Sequence, residues 1–170
     1  MSSDIAEAIA RVAAHLEAHP DDAYGWGTDA TATIEELRAV AVYSDGTVVV
    51  SDMPEGIGGA GSAPSPGWLL RAALATCDAT VIAMRAASEG VELDTLEVTV
   101  AFDFDDRGLV GTDDAVPAGP LSSKVTVRIG ADGVDEEKLN GIVEWAERHS
   151  PVGDALARAV PGTVVVDVVS

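Results

Sequence analysis

The stretch from residue 66 to residue 89 limits the possible folds more than any other part of this chain. Ser65 followed by Pro66 is a typical helix start, and neither glycine nor proline occurs between Gly67 and Gly90. We therefore predict one helix over residues 66–89. A helix this long with a broad apolar face requires a second layer of structure to cover it.

Strand patterns lie on both sides of this helix. Residues 28–51 contain β-branched runs separated by Asp45 and Gly46, a pair that is typical of a hairpin turn. Residues 96–104 and 121–129 alternate apolar and polar side chains, which predicts strands with one buried face.

The remaining segments complete an order of elements. Residues 52–67 and 105–120 are rich in residues that favour turns, so we expect loops there. Apolar residues recur at helical spacing in residues 3–16 and 135–150, with a shorter helical pattern after the second, and residues 162–169 predict a final strand. Together these elements predict an α+β domain, an antiparallel-rich sheet packed on helices.

The charge and composition of the chain exclude several classes of function. It has 29 acidic and 10 basic residues, and a net charge of −19 repels nucleic acid and anionic membrane surfaces. We expect no membrane-spanning run and no signal peptide, and therefore a cytoplasmic protein. Acidic residues spread along the whole chain are typical of halophilic proteins in a high-salt cytoplasm. The three histidines lack metal-ligand spacing, so we predict neither a metal site nor a cofactor.

Cys77 is the only cysteine and falls in the middle of the long helix. Four apolar residues lie at helical spacing around it: Leu70, Leu74, Val81 and Met84. A thiol fully enclosed by them would only fill the core. A partly open thiol with an arginine or a backbone N–H close to the sulfur would instead be a candidate nucleophile. Taken alone, the residues around Cys77 favour the packing role, and the nucleophile is the alternative.

Two segments carry a family resemblance. PSPGWLLRAALATC, which ends at Cys77, and the later AERHSPVGDAL resemble the two signature segments of the OsmC/Ohr family, the osmotically inducible and organic hydroperoxide resistance proteins. The order of elements is similar to that family from about Thr28 onwards. We therefore divide the chain into an N-terminal helical extension, residues 1–27, and an OsmC-like domain, residues 28–170.

The resemblance implies a fold, an assembly and a reaction. The implied fold is OsmC-like, an intertwined homodimer in which two sheets wrap the paired long helices, with each active site near the subunit interface. The implied reaction is thiol-dependent reduction of a peroxide, in which Cys77 is the peroxidatic cysteine. Its thiolate becomes a sulfenic acid that a second thiol reduces.

Two positions depart from the family pattern. Ser150 stands where the family has its second, resolving cysteine, so this chain would need an external thiol reductant. Gly67 stands where the Ohr branch has a glutamate that orients an arginine, and Arg38 is then the candidate cation for the thiolate. The expected function is a one-cysteine thiol peroxidase acting on a small organic hydroperoxide. The alternatives are a non-catalytic OsmC-fold dimer that binds a small apolar ligand and a stress-related structural protein without a ligand.

Overall fold

A computed structural model of the chain describes residues 2–25 and 27–169. The helices and strands of these residues are, in order, α1 (Ser2–Ala18), β1 (Thr31–Glu35), β2 (Arg38–Val42), β3 (Val48–Ser51), α2 (Pro66–Ser88), β4 (Thr95–Asp103), α3 (Asp106–Val110), β5 (Ser122–Gly130), α4 (Glu136–His149) and α5 (Pro151–Ala157). Two short 3-10 turns, Pro20–Ala23 and Glu55–Ile57, lie between them.

The long helix predicted over residues 66–89 is α2. Ser65 caps its start, because the Oγ atom accepts a hydrogen bond from the Trp68 backbone N–H at 3.3 Å. The helix ends just before Gly90, which has a positive φ of 70° that favours glycine. The helices predicted from residues 3–16 and 135–150 are α1 and α4. Local capping and apolar spacing were therefore sufficient to place all three.

The strands form two separate antiparallel sheets. In the first, β2 pairs with both β1 and β3, and the expected hairpin turn at Asp45 and Gly46 joins β2 to β3. In the second, β4 pairs with β5 over the full length of both strands. The predicted alternation is confirmed within β4 and β5, but Phe104 and Leu121 lie just outside the strands and are exposed. The chain is thus a mixed α+β fold with small antiparallel sheets.

The core lies where α2 packs on α4, with the β4–β5 sheet against it. The fully buried members of this cluster are Ile82, Ala86, Val91, Leu139, Ile142 and Ala146. Val98 of β4 and Val127 of β5 pack on the cluster from the sheet. The core therefore fixes the relative positions of the two longest helices, which carry the residues of the candidate site.

Ile142→Ala is expected to lower the free energy of unfolding by roughly 2–5 kcal/mol, because the side chain is completely buried and its removal leaves a cavity. The measurement is denaturant unfolding followed by circular dichroism. Val143→Ala, at the half-buried neighbouring position, is the control and should cost about 1 kcal/mol or less. Equal losses for the two variants would contradict this location of the core.

The loop before α2 is held to the end of β3 by Asp52. Its buried carboxylate accepts hydrogen bonds from the Ser62 backbone N–H (2.9 Å), the Ser62 hydroxyl (2.7 Å) and the Met53 N–H (2.8 Å). These bonds, those from Ser62 above all, lower the pKa of Asp52. Gly59 approaches the same turn so closely that a Cβ atom would lie 1.9 Å from the Met53 carbonyl oxygen. The loop expected over residues 52–67 is therefore an ordered connection to α2.

Two predictions about irregular and extended segments are wrong. Residues 105–120 contain the short helix α3, capped by Asp105, whose carboxylate accepts from the Arg107 N–H at 3.0 Å. The Arg107 guanidinium also bonds this carboxylate and lowers the pKa of Asp105 to about 2. Residues 162–169 form no strand, and Val164 is 90% exposed. No strand of the described residues pairs with this segment, and an unpaired strand leaves its backbone groups without partners.

The expectation that no apolar run is long enough to cross a membrane is also wrong. By length and mean hydropathy (1.3), α2 meets the criterion for a membrane span. It packs on α1, α4, α5 and β4, and 17% of its most apolar stretch is buried within the described chain.

Candidate functional site

Cys77 lies beside the buried face of α2. The buried positions nearest to it follow four-residue steps through Leu74, Asp78 and Ile82, while Cys77 itself is half-buried. Met84 is 41% exposed, so the four apolar residues predicted to surround Cys77 do not enclose it. The thiol is therefore not sealed in the core, and its position is that of a partly open side chain.

Ser150 is the nearest polar partner of Cys77. It is 1% exposed and lies between α4 and α5, where its Oγ atom accepts a hydrogen bond from the Gly153 N–H at 3.0 Å. The same hydroxyl donates to the Cys77 Sγ atom at 3.4 Å. The Ser150 hydroxyl therefore both accepts from the Gly153 N–H and donates to the Cys77 sulfur. The structure thus brings together Cys77 and Ser150, one from each of the two segments that carry the family resemblance.

Gly153 is adapted to this arrangement. A Cβ atom at this position would lie 3.1 Å from both the Cβ and the Oγ atom of Ser150. That approach is tighter than most side-chain contacts allow, so a larger residue would push Ser150 away from its present position. The glycine in the sequence HSPVG is therefore a local signal for the close packing at this site.

The end of α4 is fixed by a stack of three side chains. The rings of Trp145 and His149 are 3.8 Å apart and nearly parallel, and the Arg85 guanidinium of α2 lies 4.7 Å from the Trp145 ring. The His149 Nδ1–H donates to the Trp145 carbonyl oxygen at 2.6 Å. These contacts join α2 to the last turn of α4, which holds the following residue, Ser150, against α2.

Arg38 is placed elsewhere in the chain. It begins β2, opposite Glu35 in the first sheet, and is exposed. Within residues 2–25 and 27–169, no hydrogen bond or ion pair joins Arg38 to Cys77. Its assignment as the cation for the thiolate therefore stays a prediction.

A cavity of about 240 Å³ adjoins Ser150. It lies between α2, β5, the end of α4 and α5. Its lining residues are Leu74, Asp78, Ser123, Val125, Glu147, Ser150, Gly153, Leu156 and Ala157. The cavity therefore combines apolar walls with two carboxyl groups and two hydroxyl groups.

Asp78 is the residue of this site that the sequence reasoning missed. It is 6% exposed, and its Oδ1 atom is buried and has no hydrogen-bond partner among the described residues. The available signal was its spacing of four residues from both Leu74 and Ile82, which places an acidic side chain on the buried face of α2.

The part of the chain that the structure describes contains no group of three histidine, cysteine, aspartate or glutamate side chains arranged to hold a metal ion.

Comparison with known proteins relates this arrangement to one family. The model of the OsmC-like protein family matches residues 59–165, and no curated protein sequence matches the chain. The structure is similar to an organic hydroperoxide resistance protein OsmC from Legionella pneumophila, with 21% identity, a TM-score of 0.58, and 78% of this chain and 90% of that chain covered.

Two further solved structures show the same likeness. An OsmC-like protein from Mycoplasma pneumoniae has 15% identity and a TM-score of 0.66, with 80% of this chain and 91% of that chain covered. The organic hydroperoxide resistance protein OhrB of Bacillus subtilis has 21% identity and a TM-score of 0.51, with 76% and 90% covered. At these identities the likeness shows a shared fold.

Proposed function

Since this chain belongs to the OsmC-like protein family, we propose that it reduces small organic hydroperoxides, with Cys77 as the peroxidatic thiol and an external thiol as the reductant. The observation that carries this proposal is the hydrogen bond of 3.4 Å from the Ser150 hydroxyl to the Cys77 sulfur. The bond places a hydrogen-bond donor at the sulfur atom that would attack the peroxide. The organic hydroperoxide resistance proteins of similar fold support the choice of substrate class.

The proposed reaction has two halves. The Cys77 thiolate attacks the terminal oxygen of the hydroperoxide, an S–O bond forms as the O–O bond breaks, and the released alkoxide takes up a proton to leave as an alcohol. An external thiol then attacks the resulting sulfenic acid, releasing water and leaving a mixed disulfide. A second thiol breaks this disulfide, which restores Cys77 and releases the oxidised reductant.

The surroundings of Cys77 suit this substrate class. Leu70 and Val81 of α2 are half-buried and lie at helical spacing on either side of the thiol, next to the buried Leu74. Apolar side chains favour the alkyl part of an organic hydroperoxide over water. The Ser150 hydroxyl is the polar group that faces the reacting sulfur.

Treating the protein with one equivalent of cumene hydroperoxide in the absence of thiols is expected to convert Cys77 to a sulfenic acid, because no second cysteine can resolve it. Trapping with dimedone followed by mass spectrometry should place the adduct on the peptide that contains Cys77. An unmodified thiol after complete exposure to the peroxide would count against the peroxidase proposal.

A non-catalytic dimer that binds a small apolar ligand remains the second candidate. It is favoured by one observation, namely that no basic side chain of the described residues forms a hydrogen bond or ion pair with Cys77. Under this alternative the apolar side of the cavity next to Ser150 would hold the ligand. A persistent free thiol in the trapping experiment is the result that this alternative predicts.

We also propose that the protein is an intertwined homodimer. The helices make only slight contact with the β1–β3 sheet in the described chain, and Ile34 and Val48 of this sheet are 67% and 55% exposed. The valines of residues 164–169 are exposed and unpaired. Apolar area of this extent is typical of a surface that a partner covers.

Sedimentation equilibrium is therefore expected to give twice the chain mass of 17.4 kDa. Replacing both Val164 and Val166 with aspartate should weaken the dimer at least about tenfold, because the proposed interface would then have to bury two charged groups in place of apolar side chains. Asp167→Asn in the same segment is the control and should leave the association constant within about twofold. A wild-type chain that stays monomeric at high salt would overturn the proposed assembly.

A further inference from the structure

The cavity beside Ser150 contains a carboxyl group that the proposed reaction does not use. This group belongs to Asp78 of α2. Its Oδ1 atom is buried and receives no hydrogen bond within the described residues. A buried oxygen without a donor loses its hydration and gains nothing in return, so such an atom is expected to have a partner in the working protein. Asp78 therefore indicates what the cavity binds.

Neither hydroxyl group of the lining, that of Ser123 or that of Ser150, bonds this oxygen in the described chain. The Ser150 proton is directed at Cys77, and the other acidic residue of the lining, Glu147, adds a second acceptor. None of the described lining residues is basic. A ligand that brings a positively charged hydrogen-bond donor would complement this set of groups, whereas an anion would meet two carboxyl groups.

The remaining walls of the cavity favour a short apolar chain behind that donor. Leu74, Val125, Leu156 and Ala157 supply them. The volume of about 240 Å³ equals that of roughly eight water molecules in the liquid, which is enough for a small alkylammonium ion. A bare hydrated cation would leave the apolar walls in contact with water.

We propose that this cavity binds an ammonium group carried on a short apolar chain, with Asp78 as the acceptor, and that the thiol which reduces oxidised Cys77 is an aminothiol. The second part rests on the proposed peroxidase function. Ser150 connects the cavity to the thiol, because this residue lines the cavity and its hydroxyl contacts the Cys77 sulfur. The ammonium end binds at Asp78 while the sulfur end attacks the sulfenic acid, releases water and leaves a mixed disulfide that a second aminothiol reduces.

The binding part is tested on the full chain with three probes of equal size. Isothermal titration calorimetry compares n-butylamine, n-butanol and butyrate at pH 7. We expect n-butylamine to bind at least tenfold more tightly than the other two. Asp78→Asn should lower the affinity for n-butylamine at least tenfold, and Glu147→Gln should lower it two- to threefold. Glu144→Gln, an exposed acid of the same helix as Glu147, is the control and should change it less than twofold.

Three results would overturn the binding proposal, and a fourth applies if Asp78→Asn does not fold. Equal affinities for the amine and the alcohol would make the cavity merely apolar, and equal amine affinity in wild type and Asp78→Asn would place the amine elsewhere. Loss of the dimer in Asp78→Asn, measured by sedimentation, would mean that a donor of the partner subunit bonds this carboxyl group. If Asp78→Asn does not fold, an unchanged amine affinity in Glu147→Gln is the overturning result.

The reductant part is tested by turnover with cumene hydroperoxide and three thiols of similar size: cysteamine, 2-mercaptoethanol and 3-mercaptopropionate. The ratio of the kcat/KM value for cysteamine to that for 2-mercaptoethanol should exceed ten in the wild type and fall to about one in Asp78→Asn. An unchanged ratio would overturn the assignment of the reductant. Absence of turnover with every thiol would count against the peroxidase function, while the calorimetry would still test the ammonium site.

Discussion

Cys77→Ser is expected to lower the rate of hydroperoxide reduction by at least about a hundredfold, because the substitution removes the nucleophile itself. The chain has no second cysteine that could take over the reaction. A serine hydroxyl is a poor nucleophile towards peroxide oxygen and forms no sulfenic acid. The measurement is stopped-flow kinetics with cumene hydroperoxide and with hydrogen peroxide, in the presence of several thiol donors.

Ser88→Ala is the matched control for this experiment. Ser88 is exposed at the end of the same helix, and its hydroxyl bonds only the Met84 carbonyl oxygen within the described chain. The control should keep the rate within about twofold of wild type, as expected of a surface substitution. Equal rates for wild type and Cys77→Ser would instead favour the non-catalytic dimer with an apolar ligand.

The parts of the fold that were predicted correctly depend on local signals. The start of α2 follows from the Ser65 cap and Pro66, and its end from Gly90, all of which lie within or next to the helix. The alternation in β4 and β5 is likewise a property of each strand and of the pairing between them. Such features need no information about distant parts of the chain.

The predictions that failed depend on what lies next to a segment. Residues 162–169 have the composition of a strand, yet a strand forms only where a neighbouring edge offers backbone partners. The short helix α3 depends on the Asp105 cap and its bond to Arg107, which the turn-rich composition of residues 105–120 concealed. The expected antiparallel pairing is present, but the strand pattern did not show that β1–β3 and β4–β5 form separate sheets in the described chain, because it does not reveal which strands pair.

Part of the candidate site was likewise foreseen from the sequence, and part of it was missed. The contact between Cys77 and Ser150 joins residues 73 positions apart and was foreseen only through the resemblance of the two motifs to one family. Asp78 was missed because the apolar face of α2 was expected to centre on Cys77. The buried stripe runs through Leu74 and Ile82 instead, which places Asp78 inside and Cys77 at its margin.

Ser150→Cys is expected to give the chain an internal disulfide when it is oxidised. The Ser150 Oγ atom already lies 3.4 Å from the Cys77 sulfur, so a thiol at this position needs only a small shift to reach the S–S bond length of about 2.05 Å. After one equivalent of peroxide, the sulfenic acid on Cys77 should be attacked by the new thiol with release of water. Titration with a thiol reagent should then find no free thiol per chain, against two before oxidation.

Ser88→Cys is the control with the same number of thiols. Its position on α2 is eleven residues from Cys77, about 16 Å along the helix axis, which is too far for a disulfide within one chain. Non-reducing electrophoresis separates internal from intermolecular disulfides in both variants. Ser150→Cys also removes the hydroxyl that caps α5. The melting temperature of this variant should therefore fall, in line with a loss of about 1 kcal/mol in the free energy of unfolding. Two free thiols remaining in oxidised Ser150→Cys would show that Cys77 does not form a sulfenic acid that its nearest neighbour can reach, and the peroxidase proposal would then lose its geometric support.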